Sequence, residues 1–527
     1  MSCIKLAKSG ALSPDDVEAI AFGASLVLRP SHWRAVAKSH AYLHRLIGER
    51  RRIYGVTTGY GPLAHTAIDP QASAQLQQGL VYHLATGVGA LLDKSQVRAI
   101  MAVRAATLAH GYSAVAPDTL QLLLQCLAQD LVPQIPAIGT VGASGDLTPL
   151  AHIALALMGQ GQVWLEQTPL PAAQALDRLG LAVLRPEGKD ALALVNGTSA
   201  MTAIAALNHC RSERLLYLSL ILTGVYGELL HAHREALHPG FARLRAHPGQ
   251  QWAQHTLLTA FADSARLQPI EQPPPCLPTQ LHGGQTLAHQ AMPQDAYTFR
   301  CAPQHLGAVR DVMEFHHQVL RDELAAVTDN PLLLADTGEV LHGGNFFGQH
   351  IALAADALNN ALITLAIHSE RRIARITDPA LNQGLPPFLR GNNNGLHSGF
   401  MGAQVSATAL VAEMRTQANP ASIQSIATNA NNQDVVTMGT LAARRCATTL
   451  DRLQELLAIE CLILAQGYDI AGGEAAGFAK ISVQLQQQIR QTSKHLDDDR
   501  PLSDEIKTLS QQLGQPGWLA PLIKSGA

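Results

Sequence analysis

Residues 139–152 read GTVGASGDLTPLAH, and the surrounding chain depends on how that stretch is read. Gly139, Gly142 and Gly145 bracket the small residues Ala143 and Ser144, and Asp146 then opens an apolar run. A hydrolase elbow, G-x-S-x-G, would require glycine at position 146, where the chain has Asp. A phosphate loop would end in Gly-Lys followed by Ser or Thr, and no lysine lies near. The conformational reading that survives is a tight glycine-rich turn feeding a helix, with Asp146 as N-cap and Pro149 in the first turn.

Helical patterning continues outward from this turn. Ser13-Pro14-Asp15-Asp16 is a helix start, with a capping hydroxyl, a proline in the first turn and acids near the positive pole. Residues 93–110, 307–326, 348–373, 403–417 and 434–466 carry apolar positions at i, i+3, i+4 and i+7, as in Val435, Met438, Leu441 and Ala442. Several of these runs exceed the usual globular helix, which predicts a mainly α fold built as a long-helix bundle. Strand signals are few: IYGVTTG (53–59), Ala191–Val195, and hairpin candidates at 163–170 and 333–341. Proline and glycine clusters at 131–142, 268–284 and 385–398 punctuate the helices, and PIEQPPPCLP (269–278) is the most linker-like. The expected organisation is an N-terminal domain, 1–205, bearing the glycine-rich turn and small β elements, then a central and C-terminal helix-bundle domain, 206–527.

The 527 residues can bury a large core. A formal net charge of −3, from 38 basic and 41 acidic side chains, supplies no field favouring nucleic acid or an acidic membrane, so small molecules or further copies are the expected partners. Seven scattered cysteines without a C-x-x-C pair read as buried small hydrophobes in a reducing compartment. The N-terminal MSCIKLAKSGALSPDD has no continuous apolar stretch, and the apolar run Leu215–Gly227 is too short to span a bilayer, so a cytoplasmic protein is expected. The 23 histidines, among them His231, His233, His316 and His317, show no H-E-x-x-H spacing. They are expected to be packed or surface side chains, and no metal is expected.

The turn also has a chemical reading. If it drives the Gly145 nitrogen onto the Ala143 carbonyl carbon, closure and loss of water across Ser144 give a methylidene-imidazolone electrophile. The helix opening at Asp146 would point its positive end at that ring. At this point GTVGASGDLTPLAH resembles the signature of the aromatic amino acid and histidine ammonia-lyases. The resemblance recurs in order through IYGVTTGYGPLA (53–64), LVYHLATGVG (80–89), LALVNGTSAM (192–201), QDAYTFRCAPQHLG (294–307), AVTDNPL (326–332), LHGGNFFGQH (341–350) and NANNQDVVTMG (429–439). It implies the helical fold shared with fumarase- and aspartase-like lyases, an autocatalytic 4-methylidene-imidazol-5-one (MIO) formed from Ala143-Ser144-Gly145, and a homotetramer whose sites draw on three chains. The chain lacks the long helical insert of plant relatives and resembles the compact bacterial lyases.

The resemblance also implies roles for individual residues. Tyr54 is the base that takes the β-proton; since a phenol ordinarily titrates near about 10, hydrogen-bond donors should surround it. Gly61 lines the site beside it, and Tyr60 has no chemical role. Arg300 matches the substrate α-carboxylate with its guanidinium fork, and Tyr297 is the second site tyrosine. Asn196 and Asn330 orient amine and carboxylate, Phe346 forms an apolar wall, and Asn345 holds the loop. The His83-Leu84 pair resembles the tyrosine-selective type, because an imidazole can bond a phenol hydroxyl. Gln433 stands where histidine lyases carry a glutamate, and Asn429 where many plant-type phenylalanine lyases carry Glu. The implied reaction is deamination of L-tyrosine to trans-p-coumarate, with phenylalanine slower and histidine last. Phenylalanine or histidine lyase, a tyrosine 2,3-aminomutase using the same ring, a catalytically inert helical assembly and a metal hydrolase are the alternatives.

Overall fold

A computed structural model describes residues 3–270, 284, 294–392 and 394–522. Helix α1 (Pro14–Ala21) begins as its sequence predicts: Asp16 N–H donates to the Ser13 hydroxyl at 3.1 Å and Ser13 N–H to the Asp16 carboxylate at 3.0 Å. The helices that follow and bear on the site are α2 (Ser73–Leu84), α3 (Lys94–Ala109), α4 (Leu147–Leu157), α5 (Asp190–Val195) and α6 (Ser199–Leu229). Then come α7 (Ala302–Leu324), α8 (Gln349–Thr377), α9 (Met401–Thr416) and α10 (Gly439–Ile470). The five runs of helical spacing therefore fold as helices. The last starts at Gly439 rather than 434, because Asn429, Ala430, Asn431 and Met438 adopt left-handed backbone that no helix tolerates.

Two stretches read as strands take other forms. Ala191–Val195 lies in α5, where the Asp190 carboxylate accepts from Ala116 N–H at 2.8 Å and Glu187 N–H at 3.2 Å; five apolar residues are too few for periodicity to separate helix from strand. Ile53–Gly59 is a turn, with Val56 N–H and Thr57 N–H both donating to the Ile53 carbonyl, and only Thr58 makes an isolated bridge, to Ala67. Both hairpins form: Gln162–Leu165 pairs antiparallel with Thr168–Pro171, and Leu332–Leu334 with Glu339–Leu341. The 31-residue α6 was invisible to amphipathic patterning for a physical reason: Leu216, Leu218, Leu220, Ile221 and Leu222 are all fully buried, so the helix has no polar stripe to set the period.

The chain divides into two compact units, one of Met1–Cys210, Phe315–Ala357 and Asn419–Ala447, the other of Arg211–Glu314, Leu358–Ala418 and Thr448–Ala527. The sequential division expected after residue 205 thus meets a discontinuous one, whose boundaries at 210, 314, 357 and 447 fall inside α6, α7, α8 and α10. The core of the first unit joins α3 and α4 to the front of α6 through side chains such as Ile100, Leu108, Leu150, Leu157 and Ile204. Among the described residues one helix, α8, is long and apolar enough to cross a membrane, and 67% of its apolar window is buried within the protein. Cys126, Cys210, Cys446 and Cys461 are buried, as small hydrophobes would be, whereas Cys3 is exposed; Cys276 and most of the 268–284 cluster lie outside the described residues.

Candidate active site

In the first unit α2 packs against α4 and α5, and α4 packs against α5. That contact brings together the C-terminal end of α2, the turn before α4 and the residue after α5, so His83, Leu84, Ala143, Ser144, Gly145 and Asn196 line one cleft of about 1490 Å³. Loops add Tyr54, Gly61, Asn330, Phe346, Asn429 and Gln433 to the same cleft.

The turn is glycine-dependent for a steric reason. Gly142 and Gly145 hold φ of 75° and 73°, and a Cβ on Gly145 would sit 2.2 Å from the Gly197 carbonyl oxygen. Thr140 braces it, its hydroxyl accepting from Gly142 N–H and donating to the Gly145 carbonyl, each at 3.1 Å. Asn196 Nδ2 donates to the Ser144 carbonyl at 2.9 Å, and its Oδ1 is buried without a hydrogen-bond partner. Gln433 Nε2 donates to Ser144 Oγ at 3.0 Å, with its own Oε1 held by the Thr428 hydroxyl at 2.7 Å. Gln433 therefore contacts Ser144 directly.

Asp146 does not cap its own helix with its side chain. The carboxylate reaches across to α6 instead, accepting from Met201 N–H at 2.8 Å and from the Thr440 hydroxyl, while Asp146 N–H donates to the Gly197 carbonyl at 2.7 Å. The reason is tertiary: Asp146 is fully buried against the N-terminus of α6, whose free N–H groups compete for it. Burial pushes its carboxyl up to about 6, against hydrogen bonds from Thr440, Met201 and Ala200 that pull it down. A folded-state value above the ordinary 3.8 means that the folded protein holds this proton more tightly than the unfolded chain, so the group's stabilisation is full below pH 3.8 and lost as pH rises through about 6. Asp146→Asn removes the titration, and the Tm difference, variant minus wild type, is expected to grow more positive from pH 3.8 to about 6. A difference independent of pH across that range would show that Asp146 does not titrate there.

The two tyrosines of the 53–64 segment are held differently. Gly61 N–H donates to Tyr54 Oη at 2.9 Å, and Tyr54 N–H donates to His342 Nε2 at 3.2 Å. Tyr60, edge-on to Tyr54 with ring centroids 6.3 Å apart, has its hydroxyl held by Gln77, and burial raises its pKa further above the ordinary phenol range. Tyr60 is held as a neutral phenol. His83 Nδ1 lies 2.9 Å from the Gly79 carbonyl and must donate to it, which fixes the tautomer and leaves Nε2 as an acceptor. Asn330 Oδ1 accepts from Gly343 N–H at 2.8 Å, and Asn345 Nδ2 donates to the Val327 carbonyl at 2.6 Å, holding the loop as its sequence position suggests.

Tyr297 and Arg300 are not brought to this cleft. Both belong to the second unit, on a single turn of helix, where the Arg300 guanidinium lies over the Tyr297 ring at 4.5 Å and Arg300 Nε donates to the Asp295 carbonyl. Tyr297 is 69% exposed. Thr140 and His342, inside the quoted blocks, and Thr428, one residue before NANNQDVVTMG, also serve the site without a sequence signal of their own. Among the described residues no three His, Cys, Asp or Glu side chains are grouped as a metal site. His316 is fully buried, its pKa pushed down to about 3 by that burial and by His209 and His317.

A long-helix protein whose cleft is built around an Ala-Ser-Gly turn, a phenol with an amide donor and a buried asparagine is a carbon–nitrogen lyase of the ammonia-lyase fold. The chain belongs to the aromatic amino acid lyase family, whose model matches residues 12–491. It is 46% identical over 509 residues to a tyrosine ammonia-lyase of Cereibacter sphaeroides, covering 95% of this chain and 96% of that one. It is 41% identical over 498 residues to a histidine ammonia-lyase of Gloeobacter violaceus, covering 94% and 93%. The solved tyrosine aminomutase of Streptomyces globisporus superposes with a TM-score of 0.92 at 34% identity, over 99% of this chain and 98% of that one.

Proposed function

We propose that the protein deaminates L-tyrosine to trans-p-coumarate and ammonia, with L-phenylalanine a slower substrate. The observation that carries this reading is His83: it lines the Ser144 cleft with Nδ1 committed to Gly79 and Nε2 left to accept from a phenol hydroxyl. The Cereibacter sphaeroides relative supports it. Family membership implies MIO chemistry, and the turn fits that group, because Gly145 sits in a cradle that a Cβ would fill and Asn196 already holds the Ser144 carbonyl. When formed, the group supplies an electrophilic carbon that turns the substrate amine into a better leaving group.

The chain's own residues do the rest. Tyr54, with its oxygen stabilised by Gly61 N–H, takes the β-proton. Asn196 Oδ1, buried and unpaired, is an acceptor for the substrate amine, and Asn330, tied through its oxygen to Gly343, keeps its Nδ2 for the carboxylate. Leu84 and Phe346 form apolar walls of the cleft. Tyr297 and Arg300 reach a site as residues of another copy in a homotetramer, which the exposure of Tyr297 supports, and the assembly works in the cytoplasm.

A comparison of kcat/KM for tyrosine, phenylalanine and histidine tests the reading. Tyrosine is expected to lead. His83→Phe should shift the tyrosine-to-phenylalanine ratio toward phenylalanine by about 10- to 100-fold, the value of roughly 1–3 kcal/mol for one hydrogen bond at a polar site. Histidine as the best substrate, or an unchanged ratio in His83→Phe, overturns it. The superposition on the Streptomyces globisporus enzyme favours a second reading, in which ammonia is returned at the β-carbon. Accumulation of β-tyrosine in place of coumarate would select it.

A further inference from the structure

Beneath the cleft lies a cluster of charges that the chemistry above does not use. Arg104, on α3, is buried, and its guanidinium spans two segments: Nε and Nη2 donate to the Ala193 carbonyl, and Nη1 donates to the Thr328 carbonyl at 2.9 Å. Ala193 is three residues before Asn196, and Thr328 two residues before Asn330. Lys189 Nζ is paired at 2.5 Å with Asp329 Oδ2, both side chains having no exposed surface. The other Asp329 oxygen, Oδ1, accepts the backbone N–H of Asn330 at 2.7 Å. The space between the segments is closed: a Cβ on Gly197 would lie 2.3 Å from Arg104 Nη1 and 2.4 Å from the Thr328 carbonyl.

Two cations taken out of water cost more than an ion pair commonly returns, and apolar residues of similar volume would fill the same space as well. What an apolar replacement lacks is the geometry. A planar fork can hold two carbonyls at a fixed separation, and a carboxylate can bind an ammonium with one oxygen and a backbone N–H with the other. We propose that Arg104, Lys189 and Asp329 are positioning residues that hold the Asn196 and Asn330 segments in register on either side of the substrate. Arg104 links the two segments, and Asp329, anchored by Lys189, fixes the backbone from which the Asn330 side chain leaves. The inference rests on the deaminase reading, which places both asparagines on the substrate.

Paired substitutions separate positioning from stability. Lys189→Met with Asp329→Leu removes both charges and leaves Asn330 N–H without its acceptor; Lys189→Met with Asp329→Asn also removes both charges but keeps an oxygen for that N–H. Both double variants are expected to have similar Tm values and similar near-ultraviolet absorbance from the matured turn. The Leu variant should lose about 10- to 100-fold in kcat/KM for tyrosine, and the Asn variant should recover most of it, since misplacement by about an ångström has effects of that size. Arg104→Lys, which keeps the charge but cannot span both carbonyls, should fall with the Leu variant. Equal activities in the two double variants, or activity that merely follows Tm across all three, overturns the inference. A wild-type protein that deaminates no aromatic amino acid would instead sink the reading on which it rests.

Discussion

Ser144→Ala is expected to fold and assemble as the wild type does while turnover falls by about 10³-fold or more, the scale seen when a covalent catalytic group is removed. Folding survives because Ser144 is only half-buried and the hydrogen bond its hydroxyl accepts from Gln433 is worth about 1 kcal/mol. Activity does not survive, because an alanine has no hydroxyl to lose and so cannot yield the methylidene carbon. The glycines that shape the turn, Gly142 and Gly145, are untouched, and so is the brace from Thr140. Mass spectrometry of the peptide spanning the turn checks the cause: the wild type should be lighter by two waters than its encoded sequence, and the variant should lack the second loss. Near-native turnover in Ser144→Ala would falsify the electrophile reading.

Tyr54→Phe should separate chemistry from maturation. The variant loses the oxygen that accepts from Gly61 N–H but retains the ring that packs edge-on against Tyr60, so the 53–64 segment keeps its shape. Turnover is expected to drop by about 10²- to 10⁴-fold, the usual range for a general base, while near-ultraviolet absorbance of the matured turn persists. The wild-type rate should rise toward alkaline pH, since a phenolate and an uncharged substrate amine are both required. Loss of absorbance together with turnover would make Tyr54 a residue of maturation, and a rate highest at acidic pH would remove it as the base. Tyr60 cannot substitute, because its hydroxyl is held by Gln77 and burial raises its pKa.

Much of this site could be read before folding was considered. Glycines at 142 and 145 around Ala143-Ser144, the capped helix start at Ser13 and the long amphipathic runs are local features, and local sterics or a 3.6-residue period are enough to interpret them. The twelve cleft-lining residues singled out from the sequence came from ordered blocks, each short enough to carry its own signature.

Other features depended on partners far away in the chain. Ala191–Val195 lies in a helix whose first residue, Asp190, is held by Ala116, and α6 hides its period because it is surrounded. Asp146, placed by its local sequence as the cap of α4, serves α6 through Met201, since a buried carboxylate goes to whichever unpaired N–H groups the packing presents. Tyr297 and Arg300 carry site signatures yet stand in the other compact unit. The sequence by itself determined the turn and the helices, because those follow from bond geometry and periodicity, whereas the roles of individual side chains entered only through the resemblance of the quoted blocks. The tertiary structure alone decided that Gln433 contacts Ser144 and that Arg104 joins the segments of Asn196 and Asn330. Each is a question of where a polar atom finds its partner once the chain is packed, and only the packed chain answers it.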